Sequence, residues 1–466
     1  MTDASAGTLT SRSPQRPHEV VFTQRAQTPD DAAAAVSSAR TAARAWAVDA
    51  PAHRAAALHT FANLIEENAS AFTDLIVREV GKPLAEATGE VARAVAIVRY
   101  YAQQVFDPTG STFPSAGDTL AYTRRRPHGA AALITPWNFP LAIPLWKAAP
   151  ALAAGNGVVL KPSLDALGVA DELARLARAA LPGDLFQVVA GERETVEALI
   201  DAADVVSFTG STRVGRSVAQ RATARGIPVQ AEMGGQNPAV VLPDADPEHT
   251  ARTLLPAVAG YAGQKCTATR RIVVVGHDNP VLPALRTALA GMEPGDPVKP
   301  DTAVGPLIDE QAAKTFTAAV AEAASDGAEV LQTARPLPDA GWYVPPTLVF
   351  GLPAAHRLLH DEVFGPLAAV VTVDSVEEAV AAANDVDYGL VASVHGRDIE
   401  ALLRVANQLE AGMVRVNAAT TGVDFYMPFG GDKDSSAGPR EQGKAALDFY
   451  TGTQTVTVAP GPRQTS

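Results

Sequence analysis

Cysteine is nearly absent from this sequence, since Cys266 is the only one among 466 residues. A single thiol forms no internal disulfide and no cysteine-rich metal site, so we expect no metal centre and a reducing, cytoplasmic location. Basic residues are also fewer than acidic ones. The sequence has 38 Lys and Arg and 51 Asp and Glu, which gives a net charge of −13. Such an acidic chain is a poor partner for nucleic acid or for an anionic membrane surface.

Long uninterrupted hydrophobic runs are missing as well. The first twenty residues have no apolar core of a signal peptide and are predicted to be a disordered lead-in. Between Ala130 and Leu160 the only charge is Lys147, but prolines interrupt this stretch at positions 136, 140, 144 and 150. We therefore predict a strand, a turn, a helix and a second strand that are buried in protein, and no membrane span.

The sequence does contain a regular alternation of strand and helix patterns. Amphipathic helix patterns begin at Pro29 and at Pro51, and a third runs through Val91–Tyr101. Short apolar runs then alternate with amphipathic stretches from Ala130 to Ala231 and again from Ile272 to Val416. A chain of this length exceeds one hydrophobic core, and the alternation predicts α/β domains whose mostly parallel sheets are covered by helices on both faces.

Motifs suited to ligand contacts follow several of the predicted strands. They are Thr135-Pro136-Trp137-Asn138, Lys161-Pro162-Ser163, Gly210-Ser211-Thr212-Arg213-Val214-Gly215 and Glu232-Met233-Gly234. Ligands of such sheets bind beyond the carboxyl ends of the strands, and a helix N-terminus after a glycine turn favours an anion such as pyrophosphate. Each motif alone is no more than an ordinary turn, so the prediction of a ligand site depends on their shared placement.

Cys266 lies on a polar, turn-like segment, Gly263–Thr267, which is poor in core-forming residues. A thiol acts as a nucleophile when its surroundings lower its pKa or supply a base. The other interpretation is a small buried hydrophobic side chain. The polar neighbours favour the nucleophile, and Glu232, in an upstream glycine-rich motif, is the candidate base.

The Glu-x-Gly-Gly pattern at Glu232 and the Gly-Gln-x-Cys pattern at Cys266 resemble the aldehyde dehydrogenase superfamily. The resemblance extends over about residues 25–458, and the family's usual first N-terminal strand is missing from the pattern. It implies an α/β protein with a Rossmann-like cofactor domain, a second α/β catalytic domain and a small oligomerisation β-sheet. The expected bounds are 1–108 and 128–234 for the NAD(P)-binding domain, 235–446 for the catalytic domain, and 109–127 and 447–460 for the oligomerisation segment.

The resemblance also implies that the protein is a homodimer or homotetramer. Its polar strands Thr119–Arg125 and Thr451–Val458 would form the oligomerisation sheet. The alternative is that they are ordinary edge strands within one subunit.

Roles for individual residues follow from the same resemblance. Cys266 would be the nucleophile, Glu232 the base that activates water, and Asn138 a donor to the oxyanion together with the backbone N–H of Cys266. The expected contacts of an NAD or NADP cofactor are Thr135, Pro136, Trp137, Lys161, Ser163, Gly210, Ser211, Gly215, Gly234, Glu362 and Phe364. For Asn138 the alternative is a local turn cap, and an isolated Lys or Glu is usually a solvated surface residue.

At one position the sequence departs from the family's pattern in a way that affects the choice between NAD and NADP. The family often has Lys-Pro-x-Glu, whose carboxylate binds the adenosine ribose, but this chain has Leu164 in place of that acid. A 2′-phosphate would then meet no repulsion, and NAD would lose a hydrogen bond. We therefore predict that NADP is accepted, unless the neighbouring Asp165 replaces the missing carboxylate.

The C-terminal motifs point to a substrate class. The segments Gly412–Asn417, Gly422–Asp424, Pro428–Gly431 and Gly438–Gly443 resemble the branch that oxidises α-ketoglutaric semialdehyde, although Gln236, Asp432 and Ala437 depart from it. The sequence places no arginine in the pocket. The aromatic residues Trp137, Trp146, Phe425 and Tyr426 would suit an apolar or aromatic entrance instead, and they would equally suit core packing. The alternatives are an aromatic or aliphatic aldehyde of a biosynthetic pathway, an esterase or thioesterase that uses the same thiol, and a non-catalytic binding or structural protein.

Overall fold

A computed structural model of the protein describes residues 7–107 and 109–461. As far as residue 232, the elements are β1 (Thr8–Ser13), β2 (Arg16–Arg25), α1 (Pro29–Trp46), α2 (Pro51–Glu67), α3 (Ala69–Val80), α4 (Leu84–Gln104), β3 (Thr112–Phe113), β4 (Leu120–Pro127), β5 (Ala130–Ile134), α5 (Ala142–Ala153), β6 (Gly157–Lys161), α6 (Leu167–Ala180), β7 (Phe186–Val188), α7 (Arg193–Ala202), β8 (Val205–Thr209), α8 (Thr212–Ala224) and β9 (Val229–Glu232).

The elements that follow are β10 (Pro238–Val241), α9 (Pro247–Ala259), β11 (Arg271–Val275), α10 (Val281–Ala290), α11 (Glu310–Ser325), β12 (Glu329–Gln332), β13 (Thr347–Phe350), β14 (Leu367–Val373), α12 (Val376–Asn384), β15 (Tyr388–Gly389), β16 (Val391–His395), α13 (Ile399–Ala406), β17 (Met413–Val416), β18 (Asp432–Lys433), β19 (Ser436–Ala437), α14 (Gly443–Phe449) and β20 (Thr451–Val458). Short 3₁₀ turns occupy Leu164–Ala166, Gly260–Gly263 and Arg357–Leu359.

The first of the larger sheets has the strand order β19-β9-β8-β5-β6-β7. Its strands run parallel except β19, which pairs antiparallel with β9. Every residue of β5 and of α5 is buried, which explains the weakly charged stretch between Ala130 and Leu160. The predicted parallel sheet is therefore confirmed, and no described helix is both long and apolar enough to cross a membrane.

The second larger sheet has the order β12-β13-β14-β11-β10-β16-β17 and is parallel except for β12. The segment from Gly260 to Arg270, which carries Cys266, leads directly into β11 near the middle of this sheet. The segment that follows Glu232 runs from β9 of the first sheet into β10 of the second. Cys266 and Glu232 therefore stand where the chain passes between the two sheets.

The third sheet has the order β20-β4-β3. Strand β4 pairs antiparallel with β20 from Leu120↔Val458 to Pro127↔Thr451, so the two predicted polar strands do meet, and they do so within one chain. Oligomerisation through this sheet stays a prediction, as do the domain bounds.

The predicted disordered lead-in is wrong for the described residues, because β1 and β2 form an antiparallel hairpin. The hairpin is attached by polar groups: Ser11 donates to Glu79, and the Gln15 side chain donates to the backbone oxygen of Val77 at 2.9 Å. Ser11, Ser13 and Gln15 are all buried. An N-terminal strand is therefore present, and hydropathy missed it because its buried side chains are mostly polar. Residues 1–6 lie outside the described part of the chain.

Candidate active site

The segment that carries Cys266 has an unusual backbone. Tyr261, Ala262 and Gly263 all have φ between 52° and 67°, in the left-handed region. At Gly263 a Cβ would lie 2.2 Å from the backbone oxygen of Gly365, so only glycine fits there. Such strained geometry persists only where the surroundings fix it, and it is often found at functional sites.

Several side chains hold this segment in place. Asn138 Nδ2 donates to the Gln264 oxygen at 3.0 Å, and Asn237 Nδ2 donates to the Cys266 oxygen at 2.7 Å. The Arg270 guanidinium donates to the oxygens of Gly263 and Gly365, both at 2.7 Å. Asn138 therefore lies beside the cysteine segment, and it still has a second amide hydrogen to offer.

Cys266 retains partial solvent exposure, although it packs against an apolar cluster. The members of this cluster are Leu390, Val391, Met413, Val423 and Phe429. Burial raises the pKa of Cys266 to about 12, with further contributions from the charges of Glu362, Glu232 and Glu441, while the Thr267 backbone N–H opposes them. The thiol is therefore protonated at neutral pH in this state, and a reaction through its thiolate needs a base or a nearby positive charge.

Glu232 ends β9 and is 2% exposed. Its Oε2 accepts a hydrogen bond from Ser436 Oγ at 2.6 Å, and Ser436 is the residue of β19 that pairs with Glu232. Its Oε1 is buried without a hydrogen-bond partner among the described residues. Burial raises the pKa of Glu232 well above its usual value, and the Glu441 charge adds to the effect, whereas Ser436, Lys147 and Arg440 oppose it. A carboxylate with a raised pKa is a stronger base once it has lost its proton.

A buried ion pair between Lys147 and Glu441 lies next to Glu232. Glu441 also accepts from Trp146 Nε1 at 2.7 Å, and Lys147 donates to Ser207 Oγ at 2.8 Å. Sequence reasoning gave neither partner a role. The signal was available, because a lone Lys147 inside an apolar stretch must find a buried carboxylate.

Glu362 and Phe364 both lie close to Arg270, the last residue of the cysteine segment. Glu362 accepts from the Gly235 backbone N–H and faces Arg270 at 3.5 Å. Burial raises the pKa of Glu362 to about 7, and Arg270 and the Gly235 hydrogen bond oppose this shift. The Phe364 ring meets Trp137 edge-on at 5.8 Å between ring centroids. The Trp137 indole, which the sequence assigned to the cofactor contacts, therefore lies beside Phe364.

The remaining cofactor candidates gather at one edge of the first sheet. Ile134 pairs with both Lys161 and Phe208, which places Thr135, Lys161 and Gly210 at the carboxyl ends of three adjacent strands. Ser163 stands two residues after Lys161 and donates to Asp165 at 3.0 Å.

This edge has polar groups that fit a phosphate-containing ligand. The hydroxyl oxygens of Thr135 and Thr209 are buried without hydrogen-bond partners among the described residues. Helix α8 begins after Ser211 with no side-chain cap, so its first N–H groups remain available to an anion. Gly210 and Gly215 also have a packing role, because a Cβ would lie 2.6 Å from Phe208 at the first and 2.6 Å from Met233 at the second. They allow α8 to pack tightly against the sheet. Their predicted close approach to a ligand stays a prediction.

The sequence and the structure were compared with those of known proteins. The profile described as "Aldehyde dehydrogenase family" matches residues 1–456. The α-ketoglutaric semialdehyde dehydrogenase of Bacillus subtilis (strain 168) is 38% identical over 453 residues, which cover 95% of this chain and 93% of that protein. The α-ketoglutarate semialdehyde dehydrogenase of Haloferax volcanii is 39% identical over 470 residues, covering 98% of this chain and 96% of that protein. The crystal structure of an NAD-dependent aldehyde dehydrogenase from Sinorhizobium meliloti matches with a TM-score of 0.94 at 33% identity, covering 100% of this chain and 94% of that one.

Proposed function

The chain belongs to the aldehyde dehydrogenase family, as its motifs predict, and on this premise we propose that it converts a small aldehyde to its carboxylic acid through a covalent intermediate on Cys266. It is an NAD(P)-dependent oxidoreductase acting on an aldehyde group. The observation that carries the covalent mechanism is the surroundings of the thiol. Cys266 is partly exposed, it lies on a strained segment that Asn138 contacts, and the charges of Glu232 and Glu362 act on it.

In the first half of the proposed reaction, the Cys266 thiol loses its proton to solvent, which the positive charge of an oxidised nicotinamide would favour. Sγ then bonds to the aldehyde carbon, the carbonyl π bond opens, and the carbonyl oxygen becomes an alkoxide. The second amide hydrogen of Asn138 and the backbone N–H of Cys266 donate to that oxygen. A nicotinamide cofactor, when bound, would accept the hydride that leaves the aldehyde carbon. The alkoxide then collapses, and a thioester is left on Cys266.

In the second half, Glu232 removes a proton from a water molecule that attacks the thioester carbon. The bond from that carbon to Cys266 Sγ breaks, the carboxylic acid leaves, and the thiol is restored. The raised pKa of Glu232 suits this role, because a base whose pKa approaches the working pH accepts a proton most effectively. Ser436, which donates to Glu232, would hold the carboxylate in place.

We predict that Asn138→Ala lowers kcat for aldehyde oxidation by roughly 10²–10³-fold, because one donor to the developing oxyanion is lost. Cofactor affinity and thermal stability serve as controls, since Asn138 also holds the Gln264 oxygen. Steady-state rates from the absorbance of reduced nicotinamide measure the effect. A variant that is stable, binds cofactor and keeps the rate of the unmodified enzyme would remove Asn138 from the mechanism.

We further propose that the enzyme accepts NADP. Leu164 offers no carboxylate to repel a 2′-phosphate, and Lys161 on the neighbouring strand end provides positive charge. Asp165 does not replace the missing acid well, because it accepts from Ser163 at 3.0 Å and burial raises its pKa, which disfavours the charged carboxylate.

Leu164→Glu should therefore reduce the ratio of kcat/KM for NADP to kcat/KM for NAD by roughly 10-fold or more, through repulsion of the 2′-phosphate. Leu164→Gln is the matched control, since it has a similar shape without the charge and should shift the ratio much less. If the unmodified enzyme already prefers NAD strongly, the proposal of NADP acceptance fails.

For the substrate, we propose a small semialdehyde such as α-ketoglutaric semialdehyde. The C-terminal motifs and the two relatives with that activity in their names support it. The alternative substrate is an aliphatic or aromatic aldehyde without a second charged group. Reduced-nicotinamide absorbance with a panel of carboxylated, aliphatic and aromatic aldehydes separates these cases, and a higher kcat/KM for the uncharged aldehydes would overturn the proposed substrate.

We also propose that the sheet β20-β4-β3 joins subunits into a homodimer or homotetramer. The sheet ends in β20 on one side and the short β3 on the other, and an edge strand can pair with another chain. Sedimentation would give the assembly size. The domain division and the cytoplasmic location remain predictions of the sequence.

A further inference from the structure

Helix α4 turns one face towards the cysteine segment, because Glu86 on this face forms an ion pair with Lys265 at 2.7 Å. Glu90 on this face accepts from the backbone N–H groups of Leu141 and Ala142, both at 3.0 Å, just after Asn138 in the chain. Tyr100, ten residues further along the same helix, meets the Phe425 ring edge-on at 5.8 Å. This face of α4 therefore lies between the segment of Asn138 and the segment of Phe425.

Arg93 lies on the same face, one turn after Glu90. Its guanidinium donates to the backbone oxygen of Val423, and the Val423 side chain belongs to the apolar cluster that packs against Cys266. Arg93 therefore contacts a residue of the apolar cluster that packs against Cys266. No arginine of the pocket was identifiable from the sequence, because Arg93 is far from Cys266 in the chain.

The Arg93 guanidinium keeps unused hydrogen-bonding capacity. Its Nε is buried with no partner, and within residues 7–107 and 109–461 no carboxylate forms an ion pair with it. The charges that act on it are Asp424, which is exposed, and Glu90, which is already paired with Lys82. A half-buried guanidinium with free donors is suited to a carboxylate, which it can bind through two parallel hydrogen bonds.

We propose that Arg93 binds the carboxylate at the far end of an aldehyde substrate whose carbonyl carbon reacts with Cys266. This inference rests on the proposed aldehyde oxidation and makes Arg93 a residue that determines specificity. It selects short aldehydes with a terminal carboxylate over uncharged aldehydes of equal length. The aromatic side chains Phe425 and Tyr426 then flank the entrance without setting the substrate class.

Arg415 is the natural comparison. It donates to the backbone oxygen of Gly422 at 3.2 Å, so it anchors the same turn one residue away from the contact of Arg93. Its Nε is likewise buried without a partner among the described residues, so an unpaired Nε alone does not distinguish the two arginines. A purely structural role for Arg93 would resemble the role of Arg415. The two roles differ in one readout, which is the ratio of kcat/KM for a carboxylated aldehyde to kcat/KM for an uncharged one.

The experiment compares succinate semialdehyde with butanal, which has the same number of carbons and no charge, at saturating cofactor. The unmodified enzyme should favour the semialdehyde. Arg93→Met should reduce the ratio by roughly 10–100-fold, mainly through a higher KM for the semialdehyde, because a charged hydrogen bond is lost. Arg93→Gln, which can still donate to Val423, should also lose the preference, whereas Arg93→Lys should keep part of it.

Arg415→Met should leave the ratio unchanged even if both rates fall. The proposal is overturned if Arg93→Met leaves the ratio of the two kcat/KM values unchanged, whether or not both values fall. It is also overturned if Arg415→Met reduces this ratio as much as Arg93→Met does. An unmodified enzyme that oxidises both aldehydes equally well contradicts the role of Arg93 but leaves the proposed function intact. An unmodified enzyme that oxidises neither contradicts the proposed function itself. Turnover of butanal by each variant shows that its active site is folded.

Discussion

Cys266→Ala should oxidise no aldehyde at a measurable rate and should still bind NAD or NADP. The expected loss in kcat is on the order of 10⁴-fold or more, because the covalent route has no substitute nucleophile. Cys266 is the only cysteine in the chain, so no second thiol can take over. Reduced-nicotinamide absorbance measures the rate, and titration of cofactor fluorescence measures binding.

Two controls separate chemistry from folding. Cys266→Ser keeps a side chain of similar size and a weak nucleophile, so it should fold normally and show very little turnover. The thermal stability of both variants should change little, since the side chain is partly exposed and its loss leaves a small cavity. Normal turnover by either variant would end the assignment of Cys266 as the nucleophile.

Glu232→Gln should separate the two halves of the reaction. The first half does not need a base for water, so a burst of reduced cofactor equal to the enzyme concentration is expected. The second half should slow by roughly 10²–10⁴-fold, because the water that attacks the thioester is no longer activated. Stopped-flow absorbance records both phases in one experiment.

The control for Glu232→Gln is a substitution of Ser436, the residue of β19 that pairs with Glu232. Ser436→Ala removes the hydrogen bond to Glu232 Oε2 and leaves the carboxylate in place. It should slow the second phase much less than Glu232→Gln and should produce no full burst. If Glu232→Gln instead shows a rapid steady state without a burst, another group must activate the water.

Much of the architecture could be predicted from the sequence because it depends on local patterns. The strands Ala130–Ile134, Thr347–Phe350 and Val391–His395 lie within the two regions where the sequence predicts alternating strands and helices, since fully buried parallel strands are short apolar runs between turns. Thr28 and Asp31 form the capping box at the start of α1, where the sequence predicts a helix to begin. Each of these patterns can be recognised within a short stretch of the sequence.

Other features left no local signal. Strand β12 (Glu329–Gln332) has no buried residue, and β1 buries Ser11 and Ser13, so neither has the hydropathy of a core strand. The polar residues Asn237 and Arg270 fix the cysteine segment through contacts that are distant in the sequence, Asn237 with the Cys266 oxygen and Arg270 with the Gly365 oxygen. The residues of the site are easier to predict than their geometry, because a motif specifies chemistry but not which way a side chain turns.

Glu232 illustrates this difference. The sequence nominates it as a base, and the structure adds that β19 supplies Ser436 to one oxygen, while Glu441 and burial act together to raise its pKa. These influences come from residues about two hundred positions later in the chain. No spacing rule connects them, so they follow only from the folded arrangement.

The most direct test of the account is the mass of the peptide that contains Cys266, taken from Glu232→Gln after a single turnover with a semialdehyde and cofactor and then quenched in acid. A thioester on the thiol predicts a mass increase equal to the aldehyde less two hydrogens, located on Cys266. Reduced cofactor formed in stoichiometric amount beside an unmodified Cys266 would contradict the covalent mechanism.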